Sequence, residues 1–108
     1  MVGEELKVKN LSAKSTVGGN LPGTFWLGQN YPNPFNPKTT IQFGLPSASD
    51  YTLSIYNVTG QKVTEFGGSG KSGVNSVEWD ATPYASGIYF YRLSAGSSSE
   101  TKKMLLLK

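Results

Sequence analysis

Gly87-Ile88-Tyr89-Phe90-Tyr91-Arg92-Leu93 is the most aromatic stretch of the 108-residue chain, and its reading decides the fold. Its period is two: Ile88 and Phe90 fall on one face, Tyr89, Tyr91 and Leu93 on the other. Side chains that alternate in this way belong to a strand, and apolar residues on both faces mark a central one. Gly87, just before it, is the residue that lets a chain enter such a strand from a turn.

The same period spreads to both sides. Downstream, Ala95-Gly96-Ser97-Ser98-Ser99 turns the chain back into a strand over Thr101–Leu107. Upstream, Ala81–Ser86 reads as a loop, preceded by a strand over Val74–Asp80 with Val77 and Trp79 on one face. Gly67–Gly73 reads as a flexible tip between that strand and Gln61–Phe66. Asn57-Val58-Thr59-Gly60 places Asn first in a type I turn and Gly where a left-handed residue is wanted. It makes a hairpin with a strand carrying Tyr51, Leu53 and Ile55 on one face, and Tyr56 and Val58 on the other. Before that, Ile41, Phe43 and Leu45 alternate with Thr40, Gln42 and Gly44 in a strand closed by Pro46. Short strands about ten residues apart, with no helical stretch, predict an all-β fold. The expected architecture is a single immunoglobulin-like antiparallel β-sandwich of about seven strands.

Ahead of these strands, Asn30-Tyr31-Pro32-Asn33-Pro34-Phe35-Asn36-Pro37 crowds its prolines too closely for a helix or a central strand. The residues before each proline are pushed to extended geometry. The segment is expected to be a stiff, extended lead-in, with Tyr31 and Phe35 as plugs into an apolar surface. The character of the chain changes at Phe25-Trp26-Leu27, which sets a domain over 24–108. Residues 1–23 carry one weak alternation at Leu6 and Val8, then small polar residues, and read as a linker.

Composition removes whole classes of function. There is no cysteine and no histidine, which excludes disulfides, thiolate metal sites, a cysteine nucleophile and the commonest general base. No cofactor is expected. Ten basic residues against seven acidic give a net charge of +3, with the lysines scattered apart from Lys102, Lys103 and Lys108. A nucleic-acid binder shows a dense Lys/Arg stripe, and Arg92 is the sole arginine here. The longest apolar run, Met104–Leu107, is far short of the ~20 residues of a membrane span. Met1-Val2-Gly3-Glu4-Glu5 lacks the regions of a secretory signal, so the chain reads as cytosolic or as a piece of a longer precursor.

Several local patterns dissolve on inspection. Gly70-Lys71-Ser72 ends like a phosphate-cradling loop, but the required earlier glycine is replaced by Glu65 and a strand follows instead of a helix. Asn10-Leu11-Ser12 and Asn57-Val58-Thr59 fit the glycosylation pattern, a short pattern that arises often by chance. Glu78 and Asp80 share one face around Trp79 and project outward as solubilising charges, not across a cleft. Trp26, Trp79 and the six tyrosines could form a sugar-binding platform, yet a sandwich of this size needs its aromatics for the core.

Taken together, four stretches resemble a known family. Asn30–Ile41 resembles the opening signature of the C-terminal sorting domains (type A) of type IX secretion system cargo. Leu53–Val63 resembles the central motif, Ser86–Leu93 the glycine-aromatic strand, and Thr101–Lys108 the final strand with its terminal lysine. The resemblance implies an immunoglobulin-like sandwich that acts as a secretion and sorting signal and is not an enzyme. It implies an attached N-terminal cargo, for which residues 1–23 are expected to be the cargo-proximal segment, with processing within Ser12–Gly23 because small, flexible residues give proteases access. The implied partners are the outer-membrane translocon and a sortase-like surface protease that often removes the domain and anchors the cargo. The implied route is periplasm first, then the outer-membrane surface or the medium. The expected recognition residues are Lys102, Lys103, Met104, Leu105, Leu106, Leu107 and Lys108; at a sheet edge they would offer unpaired backbone groups. Tyr31, Pro32, Asn33, Pro34, Phe35, Asn36, Pro37, Gly60 and Gly87 are expected to be structural. The readings set beside this one are an accessory carbohydrate- or cell-surface-binding module of a secreted hydrolase and a hook-capping-like domain. Exposed, coplanar aromatics would favour the binding module, and buried ones the sorting domain.

Overall fold

A strand with one apolar face must cover it with a second layer, and that requirement organises the protein. A computed structural model describes residues 23–108. The readings on residues 1–22, namely the linker, the Leu6/Val8 alternation and the Asn10 pattern, lie outside the described residues. Among the described residues seven strands form: β1 (Trp26–Leu27), β2 (Lys38–Leu45), β3 (Ser49–Tyr56), β4 (Lys62–Gly70), β5 (Gly73–Asp80), β6 (Gly87–Ala95) and β7 (Ser98–Leu106). They make a three-stranded sheet, β1-β2-β5, and a four-stranded sheet, β4-β3-β6-β7. Every strand pair is antiparallel.

The inward faces follow the alternation. Ile41, Phe43 and Leu45 of β2 and Trp79 of β5 pack against Leu53 and Ile55 of β3, Tyr89, Tyr91 and Leu93 of β6, and Met104 and Leu106 of β7. Trp79 holds the aromatic part together, with ring centroids 5.7 Å from Phe35, 5.5 Å from Tyr84 and 5.5 Å from Tyr89. β6 lies between β3 and β7, so its central place is as expected. Its second apolar face is not covered, however: Phe90 is half-buried and Ile88 is 40% exposed.

Two loops are shorter than the sequence suggests. Gly67–Gly70, expected as part of a flexible tip, continues β4 opposite Ser49–Thr52. Backbone pairing needs no side chain, and β3 begins early enough to give these glycines a partner. The turn shrinks to Lys71 and Ser72, where the Asn75 side chain accepts from Lys71 N–H (3.1 Å) and donates to Lys71 C=O (2.9 Å). Likewise Gly96 and Ser97 alone join β6 to β7, because Ala95 already pairs with Ser98.

The turn at Asn57 forms as read. Gly60 N–H donates to Asn57 C=O (3.0 Å), with Gly60 at φ +89°, where a Cβ is strained. Asn57 Oδ1 also accepts from Thr59 N–H and Gln61 N–H. Val58 sits in this turn, exposed, and not on the back of β3. Gly87 enters β6 at φ +152°, in the region that favours glycine.

Candidate functional site

The proline-rich segment is not an extended lead-in. It is a strap (residues 28–37) that joins the edges of the two sheets. After β1 the chain keeps to β2, with Gly28 N–H donating to Gln42 C=O (2.8 Å), and Tyr31 and Thr40 exchanging both backbone hydrogen bonds (2.9 Å each). Between these contacts the register moves by one residue, a bulge that turns Asn30 inward. The chain then crosses to β7. Phe35 N–H donates to Leu105 C=O (3.0 Å), Leu107 N–H donates to Phe35 C=O (3.0 Å), and Leu105 N–H donates to Asn33 Oδ1 (3.0 Å). Ala81 N–H then donates to Pro37 C=O (2.9 Å) as β2 starts. The Tyr31-Pro32, Asn33-Pro34 and Asn36-Pro37 bonds are cis.

Asn30 is the hub of this strap and only 2% exposed. Its Nδ2 donates to Pro32 C=O (3.0 Å) and to Thr39 Oγ1 (3.0 Å), and its Oδ1 accepts from Gln29 Nε2 (2.7 Å). Thr39 Oγ1 donates to the same Pro32 carbonyl (2.9 Å), so that one bend is held from two sides. From β6, the Tyr91 hydroxyl accepts from Asn30 N–H (2.9 Å) and donates to Gly28 C=O (2.7 Å). A buried polar group is tolerable when its hydrogen bonds are made, and here the pattern ties the strap to the central strand. These partners were not foreseen from sequence. The available signal was Thr39, a polar residue in the inward phase of Ile41, Phe43 and Leu45, which required a buried partner.

Burial pushes the Tyr91 phenol up to about 12. Its folded value lies above the ordinary value near 10, so this tyrosine's contribution to stability is complete below pH 10 and is lost as pH rises through about 12. The expected result is an alkaline loss of roughly 1 kcal/mol per pH unit in that window. Denaturation at several pH values would read it, and Tyr91→Phe should remove that slope while lowering stability at neutral pH. An unchanged slope in the variant would show that other groups govern it.

The seven expected recognition residues divide by the phase of β7. Met104 and Leu106 are buried in the core and face away from any receptor. Lys103, Leu105 and Leu107 lie on the outer phase; Lys103 is exposed, Leu107 is 51% exposed and Leu105 is half-buried. Lys102 Nζ is 3.7 Å from Glu100 Oε2. Lys108 is tethered: its N–H donates to Ser86 Oγ (2.9 Å), and its Nζ donates to Thr82 C=O. That places it in the loop beside Asp80, whose carboxyl is held below its ordinary value by hydrogen bonds from the Thr82 hydroxyl and N–H, then by Lys38 and Lys108. β7 is an edge strand, as the recognition reading requires, but its 105–107 part is already covered by the strap.

Of the structural residues, Phe35 is a plug, while Tyr31 is not: it is 81% exposed because its backbone pairing with Thr40 aims it outward. Trp26 and Trp79 are both buried, as are Tyr89 and Tyr91, while Tyr51, Tyr56 and Tyr84 are half-buried, so neither tryptophan is available to a sugar-binding platform and burial of the aromatics favours the sorting domain. No helix among the described residues is long and apolar enough to cross a membrane.

A family described as the secretion system C-terminal sorting domain matches residues 29–107, from the strap to the end of β7. The chain belongs to this family. The sorting domain is a type IX secretion signal, and it directs proteins to the outer-membrane surface or the extracellular space. Among solved structures, dimeric latent PorU from Porphyromonas gingivalis matches with a TM-score of 0.63 and 19% identity. The match covers 78% of this chain and 9% of that one, and at this identity it shows a shared fold. The comparison with curated proteins gives no match.

Proposed function

We propose that residues 24–108 carry the signal for an N-terminal cargo joined through residues 1–23, and that they do so by being recognised, without catalysis. The translocon reads the folded domain after periplasmic transit, and a sortase-like protease then acts within Ser12–Gly23. The observation that supports this reading is that the family match runs from strap to β7, the two segments that fasten each other. On this reading the recognition surface is the outer phase of β7, with Lys103, Leu105 and Leu107 in contact and Met104 and Leu106 in support.

A reporter fused ahead of the full chain should be exported by a type IX-competent cell, and deletion of Lys103–Lys108 should hold it in the periplasm. That deletion also strips Met104 and Leu106 from the core, so a second variant separates recognition from folding. Leu107→Ser changes an exposed side chain and should alter stability by no more than about 0.5 kcal/mol, while reducing export. Full export of both variants would remove β7 from the recognition surface. Mass spectrometry of the exported product locates the processing bond, and a mature end inside 39–108 would overturn the linker assignment.

A further inference from the structure

The backbone groups on the free side of β7 can be followed residue by residue. Leu105 and Leu107 point theirs at the strap, and Lys103 C=O takes a hydrogen bond from Gln29 Nε2 (2.8 Å). The odd-numbered residues therefore face away from β6, and the unbroken register between β6 and β7 carries that phase back to Ser99. Lys103 N–H, and both backbone groups of Thr101 and Ser99, have no partner on that side among the described residues. Ser99, Thr101 and Lys103 are exposed. An open run thus stops where the strap begins.

The chemistry beside that run is cationic with an apolar end. Arg92 lies opposite Thr101 and reaches Ser99 Oγ (3.5 Å), and neither Arg92 nor Lys103 has a carboxylate partner among the described residues. Glu100, the nearest acid in sequence, is taken by Lys102. At the strap end, a concavity of about 200 Å³ is lined by Asn33, Ile88, Lys103, Met104 and Leu105.

We propose that Ser99–Lys103 is a docking edge for an extended acidic segment of a partner protein, which adds to β7 as a further strand. Its backbone meets the open groups, its carboxylates lie beside Arg92 and Lys103, and an apolar side chain enters the concavity next to Ile88 and Leu105. Unpaired edge groups are satisfied by strand addition, and charge complementarity selects the partner. A second copy of this chain fits less well, because pairing two such edges gathers two Arg92 and two Lys103 on one surface. The proposal deepens the sorting-signal reading and rests on it, moving the backbone contact from the covered end of β7 to its open stretch.

The test uses the full chain and a short synthetic threonine peptide with aspartate at alternate positions and leucine in place of the last one. Fluorescence anisotropy should show binding that weakens with salt. Replacing the aspartates by lysine should weaken it about tenfold or more, as should Lys103→Glu. Thr101→Pro should do the same, because it removes an outward N–H and leaves the ladder to β6 intact. Unchanged melting of Lys103→Glu secures the result if the proline variant is unstable. Equal binding of acidic and basic peptides, or undiminished binding by Lys103→Glu, overturns the proposal. A dimer in sedimentation that Thr101→Pro dissolves also overturns it, assigning the edge to a second copy. Export of the reporter separates the two readings. If the natural chain is exported and Lys103→Glu is exported equally, the docking edge fails and the sorting signal stands. If the natural chain is not exported, the sorting reading fails, whatever the peptide does.

Discussion

Phe35→Ala is expected to lower stability by about 4 kcal/mol and melting by roughly 15 °C or more. The ring is 2% exposed, tilted against Trp79 at 5.7 Å, and sits between the two sheets. Truncation leaves a cavity that the rigid strap cannot close, since the Phe35 backbone stays bonded to Leu105 and Leu107. Chemical denaturation of both proteins measures the difference. A loss under about 1 kcal/mol would mean that the ring is not the wedge described, because exposed truncations fall in that range. The same position given leucine should recover most of the loss, because volume-conserving apolar changes are the best tolerated.

Gly44→Ala should cost about 3 kcal/mol, the upper range of overpacking. Trp26 lies across Gly44 in the register of β1 and β2. A Cβ at position 44 would stand 2.0 Å from the indole Nε1 and 2.5 Å from Cδ1. The indole is flat and rigid, so it must swing out and surrender its burial. The expected signs are lower stability and red-shifted tryptophan emission. A double-mutant cycle isolates the cause: in a Trp26→Ala background, Gly44→Ala should be worth no more than about 0.5 kcal/mol. An equal cost in both backgrounds would assign the penalty to the backbone instead of the ring.

The strands were legible because their signal is local. Ile41, Phe43 and Leu45, or Tyr89, Tyr91 and Leu93, declare an inward face without reference to anything else, and the turn at Asn57 carries its own hydrogen bonds. Illegible were relations between distant positions. Gly44 looks like any outward residue of β2 until Trp26 is laid over it. Asn30 and Tyr91 meet across 61 positions, and neither alone announces the other. Gly67–Gly70 reads as a tip because glycine suggests freedom, yet pairing with β3 overrides that tendency. Tyr31 and Phe35 look alike as aromatic plugs; bridges to different sheets, at Thr40 and Leu106, send one out and the other in. For the recognition segment, sequence supplied the strand and its lysines. Its division into buried and outward residues needed the phase, and the cover over its far part needed the strap.

The mutual fastening of strap and β7 has a consequence for synthesis. Asn33 and Phe35 emerge long before Leu105 and Leu107, and they wait with open donors and acceptors until those residues arrive. A nascent chain interrupted before Met104 has most of its strands but neither the filled core nor the fastened strap. The mature surface therefore exists only on a polypeptide translated through its last strand. On the proposed reading, a receptor of that surface would also test completeness, with no separate inspection step.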